Sequence, residues 1–572
     1  MKNRWVVKET DAKLDLMSEV LGISKVTARV MANRGLRSKN TALAFLKTSI
    51  DNMRPFVQMK DAEKALQRVK KAIESGEKIT IYGDYDVDGM TSTAILQKTL
   101  LSLGADSTYY IPHRITEGYG LNKNAISSLA ESGTKLLFCV DNGISSVEEV
   151  CYANTLGLDT VILDHHEPGE ALPNAAAIVD PKQEDCPYVF KEFCAGGLAY
   201  KFAAAMFEFM DKPFYYRDEF LVLAALATIC DIVALQDENR VLVNCGLIIL
   251  NANKKINCGL SSLLTLQKYL DKPITTSSAG FILGPCLNAA GRLDSGSLGV
   301  ELLLAQESKK SLDIAEKLIE LNKSRKALTE EGFDRMLSSL PEVLDKVLVL
   351  VDTETHESLA GIVAGRIREA TGHPTIVLTP GESGMKGSGR SNASYNMYAA
   401  LERNKHLLTR FGGHFKAAGL SLPEENIPLL REALNAECTL ENEDFVPVIE
   451  ADGELSAGDL TVKQATELIR LAPFGSGNPE PVFITRGLYV KNVKIMDEKN
   501  TLIFSFVTRE GTRVKGIAFG LNARYKEEVE YASDFYMDIA YNLEVNEFRG
   551  AVEVQARILD FVLLDESLRF GL

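Results

Sequence analysis

Three short apolar runs of this chain each stop on acidic residues: KITIY (78–82) runs into GDYDVDG, KLLFCV (135–140) into DNG, and VIL (161–163) into DHH. Helical stretches at about 90–103 and 146–156, with the further runs STYYI and TVIL, make the pattern alternate. Such alternation signifies βαβ units and a parallel sheet. Ligands of an open α/β sheet bind beyond the carboxyl ends of its strands. Asp84, Asp86, Asp88, Asp141, Asp164, His165 and His166 are therefore expected along one edge.

For any single strand, Asp and Gly are ordinary turn chemistry, and Ser145 or Ser146 merely caps the next helix. Three strands together are harder to explain that way, because crowded like charges raise each other's pKa. A cation offsets them. Aspartates with one or two histidines suit Mn²⁺ or Mg²⁺ better than zinc, whose structural sites prefer cysteine. About five such ligands suffice for two metals ~3.5–4 Å apart, the arrangement that clamps attacking and leaving oxygens in phosphoester hydrolysis. Asp231 is a further candidate. It closes the apolar helical run 217–230, where the helix dipole disfavours a carboxylate.

The rest of the chain divides by character. Residues 1–75 read as helical, and LAQESKKSLDIAEKLIELNKSRKALTEEGFDRML (304–337) reads as a long helix able to act as a strut. A second α/β block opens at KVLVLVDT and runs from 344 to about 440; after PFGSGNP (473–479), five or six short strands suggest a small barrel or sandwich.

Composition limits the function classes. The chain has 572 residues, 46% of them hydrophobic and 25% charged, which fits three or four globular domains. No apolar run reaches the ~18 residues of a membrane span, and the start lacks a signal-peptide core. The nine scattered cysteines contain no Cys-x-x-Cys pair, a pattern that suits reduced thiols in a cytoplasm. Net charge is −15, yet Lys386, Arg390, Arg403, Lys405, Arg410 and Lys416 face only Glu382 and Glu402 between 381 and 420. A basic segment is thus embedded in an acidic protein, and binding follows the local field rather than the sum.

GDYDVDG, VDNG, LDHH and ATICDIVAL, in this order, resemble the four motifs of the DHH phosphoesterase family, and the likeness to its single-stranded-DNA-specific 5′→3′ exonucleases runs over nearly the whole chain. The resemblance implies metal ligands at Asp86, Asp88, Asp141, His165 and Asp231 for two cations, Mn²⁺ or Mg²⁺. It makes Asp84, Asp164 and His166 their close supports, with His166 orienting or protonating groups at the scissile phosphate. GFILGPCLNAAGRLDSG resembles the family segment that brings an arginine, here Arg292, to the phosphates, with Cys286 where most relatives carry arginine. MKGSGRSN and RFGGHFKAAGL, the latter with His414, resemble the family's second domain, DHHA1, and 5′-phosphate recognition falls on Arg114, Ser388 and Arg390. The last strands resemble an OB-fold, a barrel that binds single strands by stacking and backbone charge. Trp5 is far from them in sequence, so stacking there is expected to use Phe or Tyr.

The implied architecture is a helical segment (1–75), a DHH domain with a mostly parallel sheet (76–303), a connecting helix (304–340), a smaller α/β DHHA1 domain (341–440) and a β-barrel OB domain (445–566). The implied activity is hydrolysis of single-stranded DNA from a 5′ end, releasing 5′-mononucleotides in repair and recombination. The implied setting is a cytoplasmic monomer, with single-strand-binding protein and a RecQ-type helicase as partners. The alternatives are a family member cleaving short oligonucleotides or nucleotides, and a non-catalytic replication scaffold. The C-terminal strands count against the first and the complete ligand set against the second.

Overall fold

The structure, a computed structural model, describes residues 3–10, 12–381, 384–496, 500–507, 513–520, 523–530, 535–548 and 550–564. Glu382 of the basic segment and the expected barrel end at 566 lie outside the described residues. The chain divides into two compact units: Ser49–Phe445, and Met1–Thr48 with Val446–Leu572.

The first unit holds two sheets. One is wholly parallel, built of β1 (Lys78–Tyr82), β2 (Ser107–Tyr110), β3 (Thr134–Val140), β4 (Asp159–Leu163) and β5 (Ala177–Val179) in the order β2-β1-β3-β4-β5. Strands β1, β3 and β4 are buried on both faces, which is why they read as near-continuous apolar runs. Two helices pack on this sheet, α1 (Val87–Ser102) and α2 (Ala195–Phe209), and α3 (Arg217–Cys230) packs on both of them; all three are buried nearly all round. The helical run stops at Cys230 because Ile232 turns into the left-handed region at φ 60°, so Asp231 sits on a sharp exit.

Helix α4 (Gly284–Leu293) follows, and then α5 (Ser308–Ser338), a 31-residue helix. Ile314, Ala315 and Leu318 of α5 join the core beneath the parallel sheet, whereas Met336 joins the cluster under the second sheet. That sheet contains β6 (Leu348–Val351), β7 (Thr375–Gly381), β8 (Gly384–Arg390), β9 (Arg410–His414) and β10 (Ala417–Leu422), ordered β9-β10-β8-β7-β6. Only β6 and β7 pair in parallel. Helix α6 (Ala360–Thr371) packs on β7 and β8.

The second unit corrects the expectation of one N-terminal segment over 1–75. Residues Arg4–Val7 form a strand parallel to Val448–Ala451, and Ala28, Val30 and Met31 share a core with the C-terminal strands. Those strands close into a barrel, because Phe483–Met496 pairs with Thr501–Val507 on one side and with Phe535–Phe548 on the other. Trp5, distant in sequence, donates its indole N–H to Asp560 Oδ2 at 2.7 Å within this unit. Exposed aromatics on the barrel include Phe519 and Tyr536, the latter with its ring centroid 5.4 Å from that of Tyr489.

Candidate metal centre and phosphate cleft

Each acidic motif owes its position to a strand end. After β1 the chain turns into α1, whose start is capped by Asp86: its Oδ1 accepts the Gly89 N–H at 3.1 Å. Asp88, the second residue of α1, is buried, and its two oxygens accept the Ala195 and Gly196 N–H groups, each at 2.7 Å, at the start of α2. After β3, Asp141 takes a left-handed backbone at φ 63°, a conformation that Asp and Asn tolerate best among residues with a side chain.

After β4, Asp164 is fully buried and heavily engaged. Its Oδ2 accepts the Ile144 N–H at 2.9 Å; its Oδ1 accepts the His165 N–H at 2.8 Å and the His166 Nδ1–H at 2.7 Å. The His165 ring reaches inward: Nε2 lies 3.1 Å from Asp141 Oδ1 and 3.5 Å from Asp88 Oδ2, and Nδ1 lies 3.9 Å from Asp231 Oδ2.

Three overlapping groups result: Asp84 with Asp86 and Asp141; Asp88 with His165 and Asp231; and Asp141 with Asp164, His165 and His166. Within each, the potential ligand atoms lie within 4.8 Å of one another. Asp141 and His165 are each shared by two groups, so the three groups form one connected centre.

The electrostatics are those of a place built for cations. Burial, then repulsion from Asp86, pushes Asp88 up to about 7 despite its two amide donors. Burial, then Asp88 and Asp86, pushes Asp231 up to about 8. Asp84 and Asp141 are raised well above the usual carboxylate range, first by burial and then by their acidic neighbours. His165 is driven down to about 3 by burial and by His166, which keeps it neutral with a lone pair free to coordinate.

Asp164 and His166 behave oppositely. Burial pushes Asp164 up, but the hydrogen bond and charge of His166 bring it down to about 2. Burial likewise disfavours the His166 cation, yet Asp164 holds it up at about 9. They form an ion pair within the site.

The donor set fits divalent cations: oxygen-rich with one neutral imidazole, and with Asp84 Oδ1 buried and lacking a hydrogen-bond partner among the described residues. Such an atom needs a partner, and a metal ion supplies one.

A cleft of roughly 530 Å³ adjoins this centre, lined by Arg114, Arg292, Lys386, Arg390 and Arg410, with Glu357 the one carboxylate among its described lining residues. Arg114 lies over the Tyr85 ring, 4.8 Å from its centroid. Arg292, in the last turn of α4, donates Nη1–H to the Ser358 carbonyl at 2.7 Å. Arg390, at the end of β8, donates to Ser388 Oγ at 3.0 Å and to the Gly389 carbonyl at 2.8 Å. Burial, then Arg114, holds Arg292 down at about 10 and also lowers Arg390.

The structure thus brings Arg114, Arg292, Ser388 and Arg390 to one cleft, although they come from three separate stretches of chain. It does not bring His414 there: that residue ends β9 exposed, and Arg410 at the other end of the strand lines the cleft instead. Cys286 is buried against α5, accepting from Asn322 Nδ2 at 3.5 Å and from Gln267 Nε2 at 3.6 Å. Sequence reasoning missed Tyr119. Its hydroxyl donates to the Asp141 carbonyl at 3.0 Å and lies 3.2 Å from His166 Nδ1, while its ring lines the cleft. Also missed was Asp180, a carboxylate at a fourth strand end, which follows β5 fully buried and is pushed up to about 8 by burial and Asp164. The short run AIV before it was the only signal.

Comparison with known proteins agrees with this anatomy. Residues 78–228 match the model of the DHH family, N-terminal domain; 344–439 match the DHHA1 domain; and 451–560 match the RecJ OB domain. Fold and site together define a DHH-family protein with a DHHA1 domain and an OB barrel. The single-stranded-DNA-specific exonuclease RecJ of Bacillus subtilis is 36% identical over 99% of this chain and 72% of its own length. The crystal structure of RecJ from Thermus thermophilus in complex with Mn²⁺ is similar at a TM-score of 0.83 and 28% identity, covering 98% of this chain and 80% of that one. Its Mg²⁺ complex gives 0.77 and 27%, covering 98% and 79%. The chain belongs to the RecJ family.

Proposed function

We propose that this chain is a single-stranded-DNA-specific exonuclease that hydrolyses phosphodiester bonds with two divalent cations, Mn²⁺ or Mg²⁺, working from a 5′ end and releasing 5′-mononucleotides. The observation that carries the reading is the juxtaposition of a buried carboxylate–imidazole centre with a cationic cleft. Kinship to enzymes named for single-strand specificity supports the choice of substrate.

Asp86, Asp88, Asp141, His165 and Asp231 are the proposed ligands, and Asp84, with its partnerless buried oxygen, stands close enough to join Asp86 and Asp141. When bound, the two ions offset the carboxylate charge, activate a water and stabilise charge building on phosphoryl oxygens. The chain's own residues do the rest. Asp164 holds His166 as a cation whose Nε2–H, 3.3 Å from the Tyr119 hydroxyl, turns from that oxygen to a phosphoryl or leaving oxygen. Arg292 approaches the scissile region from α4, already fixed by the Ser358 carbonyl. Arg114, Ser388 and Arg390 hold the terminal 5′-phosphate, since a guanidinium fork matches phosphate geometry.

The same reading makes the protein a cytoplasmic monomer of repair and recombination, with single-strand-binding protein and a RecQ-type helicase as partners. Among the described residues no helix is long and apolar enough to cross a membrane. The test is nuclease activity on 5′-phosphorylated, 3′-labelled single strands with Mn²⁺, against a duplex control and Asp141→Asn. Shortening from the 5′ end that the variant abolishes and the duplex escapes is expected; tight binding without shortening would sink the enzyme reading.

A further inference from the structure

We infer that Gly361 is a positioning residue for the terminal phosphate, and that selection of a 5′-phosphorylated end depends on its having no side chain. The inference rests on the terminal-phosphate reading given above. Gly361 is the second residue of α6, and it lines the cleft. A Cβ there would lie 2.6 Å from Arg390 Nη2 and 2.7 Å from Ser388 Oγ, well inside contact distance. The two groups assigned to the phosphate are therefore seated directly on the bare first turn of this helix.

Glycine is the poorest helix former after proline, so its use at this position works against α6 itself. Close approach of the side chains opposite is the compensating reason. Gly365, one turn on, supplies the internal contrast: a Cβ there meets only Arg390 Cγ, at 3.9 Å, an ordinary contact. The stretch leading into α6 also fixes the neighbouring cations, because Ser358 accepts from Arg292 and Glu357 pairs with Lys386 at 3.0 Å. A methyl group at 361 must displace Ser388 and Arg390 outward together, and displacements of about 1 Å are enough to cost a well-placed group up to ~100-fold.

The experiment compares kcat/KM on 5′-phosphorylated and 5′-hydroxyl single strands for the unmodified protein, Gly361→Ala and Gly365→Ala. The expected result is a preference for the phosphorylated end that Gly365→Ala keeps and Gly361→Ala lowers about tenfold or more, chiefly through KM. A merely structural role would slow both substrates equally and leave the ratio alone. Should Gly361→Ala retain the full preference, the inference is overturned while the terminal-phosphate reading stands. If the unmodified protein shows no preference, both fall. Should the variant not fold, hydrogen exchange on the unmodified protein decides. 5′-dAMP, and not deoxyadenosine, should slow exchange in the first turn of α6 and in β8, and no nucleotide-dependent change there overturns the inference.

Discussion

The metal centre and the phosphate cleft are opposite in sign and alike in predicament. In the first, burial and then mutual repulsion push the aspartates' pKa values up; in the second, burial and then mutual repulsion push the arginines' down. Neither cluster is neutralised by the other, although Arg114 and Arg292 lie near enough to act on Asp84 and Asp86. Each invites something the chain does not encode: a cation for the first and, on the proposed reading, a phosphate for the second. They differ in how they are held. The aspartates are fixed largely by backbone amides at strand ends and helix starts, whereas the arginines are braced by carbonyls, a hydroxyl and an aromatic ring. Crowded like charge is a cost to folding that function requires.

The sharpest way to break the comparison is Asp141→Asn. Activity should drop by about three orders of magnitude or more, because one residue serves two of the three ligand groups. The same variant should melt at a higher temperature than the unmodified protein in chelator, since it removes a buried like charge while Asn tolerates the left-handed backbone. A fall in both activity and melting temperature would contradict the idea that repulsion dominates the metal-free centre.

The cleft should respond differently. Arg390→Ala should raise KM for 5′-phosphorylated strands about 10- to 100-fold, with kcat much less affected, as for loss of a charged hydrogen bond in binding. Steady-state kinetics on the two end chemistries measure this.

Stability against pH tests the acidic side alone. Asp88 and Asp231 have folded values of about 7 and 8, above the ordinary ~3.9 of an unfolded Asp. The folded state then binds more protons than the unfolded state between these values, so stability falls as pH rises from about 4 to 8. His166, raised to about 9, adds a contribution present below ~6.5 and lost as pH rises through 9, while His165, lowered to about 3, works the other way below ~6.5 and is outweighed there by the aspartates together. Thermal melts in chelator should therefore decline from pH 5 to pH 8, and Mn²⁺ should shrink that decline by making the ionised carboxylates the favoured form. A flat profile in chelator would mean that the aspartates are not crowded in solution.

The smallest effect should come from Tyr119→Phe, which keeps the ring in the cleft and removes the hydroxyl linking the Asp141 carbonyl to His166. A loss of about 3- to 10-fold in kcat is expected, measured on the same single strands.

The same contrast explains what could be read in the sequence. Asp86, Asp88, Asp141 and His165 all fall within a few residues of a strand end, so the rule that places ligands there singles them out as candidates. Asp231 was legible because a charge closing LVLAALATIC is out of place. The cleft was not legible from local pattern: Arg114, Arg292 and Arg390 meet only because two α/β layers face each other, and they were placed through family resemblance. The pairing of Arg4–Val7 with Val448–Ala451 was hidden for a related reason, since no local signal announces a partner more than four hundred residues away.

Helix α5 has a consequence for how the substrate is measured out. At about 1.5 Å per residue its 31 residues make a rod of ~46 Å. One end is embedded in the core under the parallel sheet; the other, through Met336, packs with Val363 and Ala364 of the helix that carries Gly361. On the proposed reading, the elements that grip and the elements that cut therefore share one rigid mount. Removing one turn from the rod, about 5.4 Å, should alter the length of the fragment released at every step rather than merely the pace.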